Sequence, residues 1–380
     1  MDKANDTLMV IGLGKLGGTS LEILARVPNI CKIVTADLDE DYGLRKTNTA
    51  VMGASYANLY PDIEFKKVDL NNIEETAETI LNINPKIIYA SSTLQSWWVI
   101  NVLPKEVHRK LYKDFCGLGP WLPLHFVLIY KLMQAIKKAG VNPLVINASF
   151  PDIVNAVLGK AGFTPNVGIG NIDLITAPWR KVVSTLLCVP MRTVKVYLFG
   201  HHYSSYNLGR TGTGLDAPYY IKIMVEDKDI TKDFNIKQLA TEIPKHAKRV
   251  SGEQINWIVA SSAVKIILGI LNDTNELSHA PGPEGLVGGY PVHLNKNGAE
   301  VFIPEGMTRE KAIHINEEAQ KWDGIEKIEE DGTVVFTDIA YNTFKELLGY
   351  KCKKIKIEEI EERAKELSIR YKSFYQKVNQ

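Results

Sequence analysis

A glycine-rich segment near the start of the chain has the spacing of a phosphate-binding turn. Gly12, Gly14 and Gly17 form a G-x-G-x-x-G pattern that follows an apolar run and precedes a stretch of helical spacing. In a strand–turn–helix unit, the first glycine permits the tight turn, and the second lets the backbone approach a pyrophosphate. The third lets the helix pack closely on the strand. The segment therefore predicts a dinucleotide site.

Three further residues could contact this ligand. Lys15 and Leu16 begin the predicted helix, where free N–H groups and the helix dipole favour phosphate. Lys15 is either a counter-charge for the phosphates or an exposed helix lysine. Asp37 ends the second predicted strand, about 20 residues after the glycines. Its carboxylate can accept hydrogen bonds from a ribose diol and would repel a 2′-phosphate, so the sequence predicts NAD rather than NADP.

Polar or small residues also follow the other predicted strands. Asp69 could approach an adenine edge, but the N-cap of the next helix is the better interpretation. Ser91 and Ser92 are small enough either for a flat ligand to pass over them or for tight backbone packing. Asn147 could meet the nicotinamide ribose or the substrate, or it could cap a turn. We include all four as candidate cofactor-binding residues.

The elements that must position these residues alternate between strand and helix up to about residue 150. Such alternation implies right-handed crossovers and a parallel sheet, here a Rossmann domain over residues 1–150. After Pro151 the pattern changes to strands with Gly/Thr-rich connections, and Asn297-Gly298 predicts a hairpin turn. We place a second domain at 151–328 and an extension at 329–380.

The composition limits the classes of partner. The 380 residues carry a formal net charge of +1 without a concentrated basic face, so we expect no nucleic-acid partner. The hydrophobic fraction of 45% supplies a buried core, and we expect no membrane span. None of the four cysteines forms a C-x-x-C pair and no signal peptide precedes the first strand, which favours a reducing, cytoplasmic location.

The order of several segments resembles the lactate/malate dehydrogenase superfamily, from about residue 7 to 328. Residues 147–152 and 167–173 resemble that family's segment from the fifth strand to its catalytic aspartate. Residues 199–202, Phe-Gly-His-His, resemble its G-x-H motif. Residues 251–257, 289–304 and 318–322 resemble its long helix, terminal hairpin and last helix. The resemblance implies an α/β fold, in which a Rossmann parallel sheet precedes an α+β lactate/malate-dehydrogenase-like C-terminal domain.

The resemblance also implies roles for three residues. His202 aligns with the catalytic histidine, which takes a hydroxyl proton while hydride passes to the nicotinamide; His201 is the alternative. Asp173 would orient that histidine, or it would cap a helix. The family's substrate-clamping arginine has no counterpart one turn after Asp173, where Thr176 stands. Arg180 is the nearest candidate, and otherwise it is a surface residue.

Other segments depart from the family pattern. Residues 93–123 form a long segment rich in glycine and aromatic side chains, which suits either a lid over a bulky substrate or an oligomer contact. Residues 203–216 could line the pocket, bind an anion or form a flexible connection. The chain beyond residue 328 has no counterpart and could cap the domain or mediate assembly. A simple lactate or malate substrate is therefore not expected.

The leading hypothesis is an NAD-dependent dehydrogenase acting on a hydroxylated small metabolite, with or without a carboxylate, assembled as a homodimer or homotetramer. One alternative is an NAD-using glycosidase of the same architecture, whose relatives use a cysteine and a histidine as metal ligands. The cysteine is missing near Asn171, and Cys188 falls in a predicted apolar helix. We therefore predict no metal. A second alternative is a non-catalytic NAD-binding regulatory protein.

Overall fold

Six parallel strands form the sheet that carries the glycine-rich turn. The computed structural model describes residues 6–112, 116–213, 216–250 and 252–378. The strands lie in the order β3-β2-β1-β4-β5-β6, so the order reverses between β1 and β4. Ligands of such sheets bind at the carboxyl ends of the strands beside this switch point. The strands are β1 (Thr7–Ile11), β2 (Lys32–Asp37), β3 (Ile63–Lys67), β4 (Ile87–Ala90), β5 (Leu144–Asn147) and β6 (Val167–Gly168).

The central strand shows why helices cover both faces of this sheet. Leu8 and Val10 belong to one apolar core, and Met9 and Ile11 belong to another. Because successive side chains of a strand point to opposite faces, a continuous apolar run buries both of them. The covering helices are α1 (Lys15–Leu24), α2 (Glu40–Ser55), α3 (Ile73–Ile83), α4 (Lys105–Tyr112), α5 (Leu122–Ala139) and α6 (Pro151–Lys160).

Short polar residues and glycine fix where these helices begin and end. The Asp39 side chain accepts a hydrogen bond from the third N–H of α2, and Asn72 does the same for α3. The chain leaves α5 through Gly140 in the left-handed conformation, with φ of +69°. These ends determine which loops reach the carboxyl edge of the sheet.

A second, antiparallel sheet lies beyond the first. Its strands lie in the order β10-β11-β7-β8-β9, and β12 pairs with β11 across the Asn295–Gly298 turn, which confirms the predicted hairpin. The sixth strand of the first sheet comes after residue 150, so that sheet extends past the predicted boundary. The second sheet consists of β7 (Val194–Gly200), β8 (Tyr219–Val225), β9 (Lys228–Asp229), β10 (Glu276–Pro281), β11 (Gly289–Asn295) and β12 (Gly298–Val301).

One helix of this part is apolar almost all round. The segment Gly252–Leu271, which includes α11, is long and apolar enough to cross a membrane by length and composition, and 56% of its most apolar 18-residue stretch is buried. Packing against α1 and β11 accounts for that composition, because a helix buried on most sides has little polar face. The helices are α7 (Asp173–Leu187), α8 (His202–Thr211), α9 (Ile236–Thr241), α10 (Ile243–His246), α11 (Asn256–Leu271) and α12 (Arg309–Ala319).

The last part of the chain folds back on the first. Helix α14 packs on α5, and the Tyr371 ring meets the Trp121 ring edge-on with centroids 5.2 Å apart. Their side chains share one core with residues of the parallel sheet. The extension therefore caps the first part of the molecule. Its elements are β13 (Ile325–Ile328), β14 (Val334–Phe336), α13 (Asp338–Leu348), β15 (Lys354–Ile355) and α14 (Ile360–Val378).

Candidate active site

The glycine-rich turn has the close packing that its sequence predicts. Gly12 has φ of +90°, and a Cβ on it would lie 2.7 Å from the Ser92 backbone nitrogen. A Cβ on Gly17 would run into the Gly12 carbonyl oxygen and the Ser91 hydroxyl. A Cβ on Gly14, in contrast, would meet nothing within 4 Å. Gly12 and Gly17 are thus required by protein packing, whereas Gly14 leaves open space for a ligand.

The N-terminus of α1 opens toward that space. The helix has Gly14 as its N-cap residue and no side chain that satisfies its first N–H groups. Gly14, Lys15 and Leu16 line a shared cavity of about 550 Å³. Lys15 is 61% exposed and forms an ion pair of 2.6 Å with Glu253. The unpaired N–H groups and the helix dipole suit a phosphate.

Asp37 lies at the carboxyl end of β2, beside this turn. Its Oδ2 accepts a hydrogen bond of 2.6 Å from the Leu13 N–H, and its Oδ1 accepts one of 3.1 Å from the Asp39 N–H. The residue lines the same cavity. Each carboxylate oxygen has a second lone pair, so Asp37 can still accept hydrogen bonds from a ribose diol.

The structure separates the other cofactor candidates. Asp69, Ser91 and Ser92 line the cavity, whereas Asn147 is buried below it. Both ends of the Asn147 amide bond Ser149, and its Nδ2 also donates to Asn155, so this amide caps a turn. Ser91 donates to carbonyl oxygens of the glycine turn, which favours its packing role. The N-cap interpretation of Asp69 is wrong.

The residue that caps α3 is Asn72, three positions after Asp69. Asn72 accepts a hydrogen bond of 3.2 Å from the Glu75 N–H. The Asp69 carboxylate instead accepts hydrogen bonds from the backbone and side chain of Asn71. Sequence alone favoured Asp69 because it ends the predicted third strand, but the helix begins one turn later, at Ile73. Asp69 therefore remains available at the edge of the cavity.

At the other end of the cavity lies a histidine paired with a carboxylate. His202 begins α8 directly after β7, and its Nδ1 lies 2.8 Å from Oδ2 of Asp323. Its ring meets the Phe150 ring at 5.5 Å and the Tyr112 ring at 6.4 Å, both edge-on. Because a carboxylate only accepts hydrogen bonds, Nδ1 carries the ring proton and Nε2 is the basic atom.

Asp323 is enclosed by protein on every side. It is 2% exposed, and its Oδ1 accepts a hydrogen bond of 3.1 Å from the Leu118 N–H. A Cβ on Gly117 would collide with Asp323, so the loop that holds this carboxylate requires glycine. Burial alone would raise the pKa of Asp323, but the two neighbouring histidines outweigh it and hold that pKa well below its usual range.

His201 approaches the same carboxylate from the other side. Its Nδ1 lies 3.1 Å from Asp323 Oδ2 but lacks the alignment of a hydrogen bond. The residue is 1% exposed and does not line the cavity, whereas the His202 side chain does. Of the two adjacent histidines, His202 is therefore the one that can reach a ligand.

The predicted partnership between His202 and Asp173 is wrong. Asp173 lies in the first turn of α7, and its Oδ1 forms a hydrogen-bonded ion pair with Lys265 of α11. The carboxylate that pairs with His202 is that of Asp323. The contact that the resemblance implies for Asp173 is made by an aspartate from a different segment of the chain.

Arg180 does not lie at the cavity. Its Nε donates 2.8 Å to the Val194 carbonyl and its Nη2 donates 3.1 Å to the Met191 carbonyl. These bonds tie α7 to the start of β7, so the prediction of Arg180 as a substrate clamp is wrong.

A different arginine lines the cavity. Arg249 lies in the loop before α11, and its Nη1 donates 2.9 Å to the carbonyl oxygen of Leu174 in the first turn of α7. Among the described residues, Arg249 and Lys15 are the cationic side chains of the lining. Nothing in the spacing of the sequence singles out Arg249, because its loop is separated from α7 by three strands and three α-helices.

A buried carboxylate lies behind the two histidines. Asp152 is fully buried, and Asn171, which lines the cavity, donates to its Oδ2. Its Oδ1 has no hydrogen-bond partner among the described residues. Burial is the largest influence on Asp152 and raises its pKa, against the opposing effects of His201 and His202. Asp152 therefore orients Asn171 toward the cavity.

The described residues contain no group of three or more metal-ligating side chains that could hold an ion. The cysteines are all free, and Cys188 is exposed. It follows the end of α7 in the left-handed conformation, with φ of +53°, and does not lie within the helix as the sequence suggested.

Comparisons with known structures identify the fold. No protein-family model and no curated protein sequence matches the chain. Lactate dehydrogenase of Cryptosporidium parvum, solved with lactic acid and nicotinamide adenine dinucleotide, is 15% identical, with a TM-score of 0.57 over 96% of this chain and 98% of that one. Malate dehydrogenase of Picrophilus torridus is 18% identical, with a TM-score of 0.58 over 84% and 96%. Lactate dehydrogenase of Eimeria maxima, solved with NADH and oxamate, is 15% identical, with a TM-score of 0.57 over 84% and 93%. The chain has the lactate/malate dehydrogenase fold, as the sequence resemblance predicts.

Proposed function

We propose that this protein is an NAD-dependent oxidoreductase that interconverts a hydroxy acid and its keto acid. The observation that supports this most directly is the continuity of one cavity. The uncapped N-terminus of α1 and Asp37 line one end of it, and His202 lines the other. A cofactor site and a base held by a buried carboxylate thus line one cavity.

The residues at the first end fit NAD. Gly14, Lys15 and Leu16 would hold the pyrophosphate, and Asp37 would hold the adenosine ribose through its hydroxyl groups. Asp37 would repel the additional phosphate of NADP, so we propose NAD as the cofactor. When bound, NAD supplies a nicotinamide that accepts or returns a hydride.

The residues at the second end fit the proton transfer. Nε2 of His202 would accept the proton of the substrate hydroxyl, and Asp323 would hold the ring in the required tautomer through Nδ1. The Asp323 carboxylate also stabilises the imidazolium that forms, because it is buried and held ionised by its histidine neighbours. Phe150 and Tyr112 pack around His202 and limit the access of water.

Arg249 would bind the substrate carboxylate. Arg249 lines the cavity, whereas Arg180 does not. A guanidinium suits a carboxylate because it can donate two parallel hydrogen bonds. Arg249→Gln should then raise the KM for the acid far more than it lowers the affinity for NAD, and Arg180→Gln should leave that KM nearly unchanged.

The test combines binding with turnover. Calorimetry of the purified chain with NAD and NADP measures cofactor choice, and a panel of 2-hydroxy acids with NAD, followed by the absorbance of reduced nicotinamide, measures activity. Turnover that requires His202 supports the proposal. NAD binding without turnover of any acid would favour a regulatory protein, and metal-dependent cleavage of glycosides would favour the glycosidase alternative.

A further inference from the structure

A second histidine lines the cavity with a fixed orientation. His125 lies in the first turns of α5, is 6% exposed and contributes to the cavity wall. Its Nδ1 lies 3.2 Å from Thr93 Oγ1 and 3.3 Å from Ser149 Oγ. These two hydroxyls follow β4 and β5, at the carboxyl edge of the sheet. The scaffold that would carry the cofactor therefore also holds this ring.

The two hydroxyl groups determine which ring nitrogen carries the proton. Thr93 Oγ1 donates 2.9 Å to the Leu124 carbonyl, and Ser149 Oγ donates 2.8 Å to the His125 carbonyl. Each hydroxyl has a single proton, so only lone pairs remain to face the imidazole. Nδ1 of His125 must therefore be the donor. In the neutral ring this leaves Nε2 as a hydrogen-bond acceptor.

The acceptor at Nε2 is directed to the cavity and not to protein. Nε2 has no hydrogen-bond partner among the described residues. It is also not one of the fully buried polar atoms that lack a partner, so it is accessible from the cavity. Burial, followed by the proximity of His202, lowers the pKa of His125 to about 4. The ring therefore stays neutral near pH 7, and its lone pair remains available to a ligand.

His125 and His202 face the same part of the site. The Phe150 ring lies 6.3 Å from the His125 ring and 5.5 Å from the His202 ring, edge-on to both. If His202 takes the proton of the reacting hydroxyl, Nε2 of His125 is a second acceptor nearby. It requires a second hydrogen-bond donor on the ligand. A ligand without that donor would displace water from Nε2 and leave this atom without a hydrogen bond. An unpaired acceptor in a buried site weakens binding.

We propose that His125 is a specificity-determining residue that selects substrates with a second hydrogen-bond donor, a hydroxyl or an N–H, beside the reacting carbinol. This inference rests on the proposed function, because it places the reacting carbinol at His202. It distinguishes the site from one for a simple monohydroxy acid. The donor belongs to the substrate and not to NAD.

Three acids that differ in one group test the proposal. Lactate, glycerate and isoserine carry a hydrogen, a hydroxyl and an amino group, respectively, on the carbon next to the carbinol. The variants are His125→Asn and His125→Gln. An asparagine amide lies near the position of Nδ1 and keeps the bonds to Thr93 and Ser149, whereas a glutamine amide reaches the position of Nε2 and restores an acceptor.

The wild-type protein should prefer glycerate or isoserine over lactate by about tenfold or more in kcat/KM. His125→Asn should remove most of that preference, and His125→Gln should retain much of it. A preference for glycerate assigns a hydroxyl donor, and a preference for isoserine assigns an N–H donor. Calorimetry with the NADH complex ranks the affinities of the three acids even without turnover. The role of His125 Nε2 as an acceptor can therefore be confirmed even when the proposed reaction fails.

Two outcomes would overturn the inference. Equal binding of the three acids, or a preference that persists in His125→Asn, would show that Nε2 does not select the substrate. A loss of NAD affinity in His125→Asn, measured without any acid, would show that Nε2 contacts the cofactor instead.

Discussion

His202 and Asp323 are 121 residues apart in the chain, and Nδ1 of the one lies 2.8 Å from Oδ2 of the other. The histidine follows a strand of the second sheet, and the aspartate ends the short 3-10 helix Gln320–Asp323 just before the C-terminal extension. The Leu118 N–H and the close approach of Gly117 fix the position of this carboxylate. The candidate site is therefore assembled by segments from both ends of the chain.

Replacement of Asp323 tests whether this carboxylate acts through His202. We expect Asp323→Asn to lower kcat by about 10²–10⁴-fold, because the amide can donate to Nδ1 and favour the wrong tautomer. NAD affinity should stay close to that of the wild type. Steady-state kinetics over a range of pH, with calorimetry for NAD, measures both.

Asp173→Asn is the matched control for that experiment. Asp173 pairs with Lys265 and does not contact His202, so its loss should change kcat by no more than about threefold. If Asp173→Asn were the more damaging of the two, the resemblance to the dehydrogenase family would assign the orienting carboxylate better than the structure does.

The two adjacent histidines should differ in their effect on turnover. His202→Asn should lower kcat by about 10²–10⁴-fold and leave NAD binding nearly intact, because only the His202 ring lines the cavity. His201→Asn should lower kcat much less, and its main effect should be on stability because the residue is buried. Wild-type turnover in His202→Asn would remove the catalytic assignment.

Asp37 should control the choice between NAD and NADP. We expect Asp37→Ala to weaken NAD binding by about tenfold or more while NADP binding falls less, since the substitution removes both the ribose acceptor and the charge repulsion. Asp39→Ala is the control, because Asp39 only caps α2. Calorimetry of the wild type and the two variants measures the six affinities, and proportional losses for the two cofactors in Asp37→Ala would show that Asp37 is not at the ribose.

Much of the first sheet could be predicted because its signals are local. The run from β1 through the glycine turn to α1 and Asp37 lies within about one βαβ unit, so spacing alone relates its residues. The partner of His202 could not be predicted in this way, since Asp323 reaches it through the packing of Gly117 and Leu118. The sequence held one indication that Asp323 has a partner. A carboxylate at the C-terminal end of a helix interacts unfavourably with the helix dipole, so its presence there calls for another contact.

The arginine shows a second limit of the sequence. Arg180 has the right distance along the chain from Asp173, but its guanidinium satisfies two carbonyls at the start of β7. Which side of a helix faces a cavity depends on tertiary packing, and a short insertion is enough to change it. The expected homo-oligomeric assembly and cytoplasmic location stay predictions.

A buried histidine outside the cavity gives the chain a testable dependence of stability on pH. Nε2 of His279 in β10 accepts a hydrogen bond of 3.3 Å from the Leu198 N–H, so this ring is neutral in the folded protein. Burial is the largest influence and lowers the pKa of His279 to about 3, from 6.5. Between these pH values the unfolded chain binds a proton that the folded protein excludes, so the free energy of unfolding must fall as the pH falls.

His279→Gln should flatten this dependence. The glutamine can still accept from the Leu198 N–H, but it takes up no proton on unfolding. From about pH 6.5 to pH 5 the wild type should lose roughly 1–2 kcal/mol more unfolding free energy than the variant. Urea unfolding at the two pH values measures the difference. Contributions from His125 and Asp152 are common to both proteins and cancel. His314→Gln, which replaces an exposed histidine, is the control and should follow the wild type. If His279→Gln followed it as well, His279 would not be the neutral buried group that its contact with Leu198 requires.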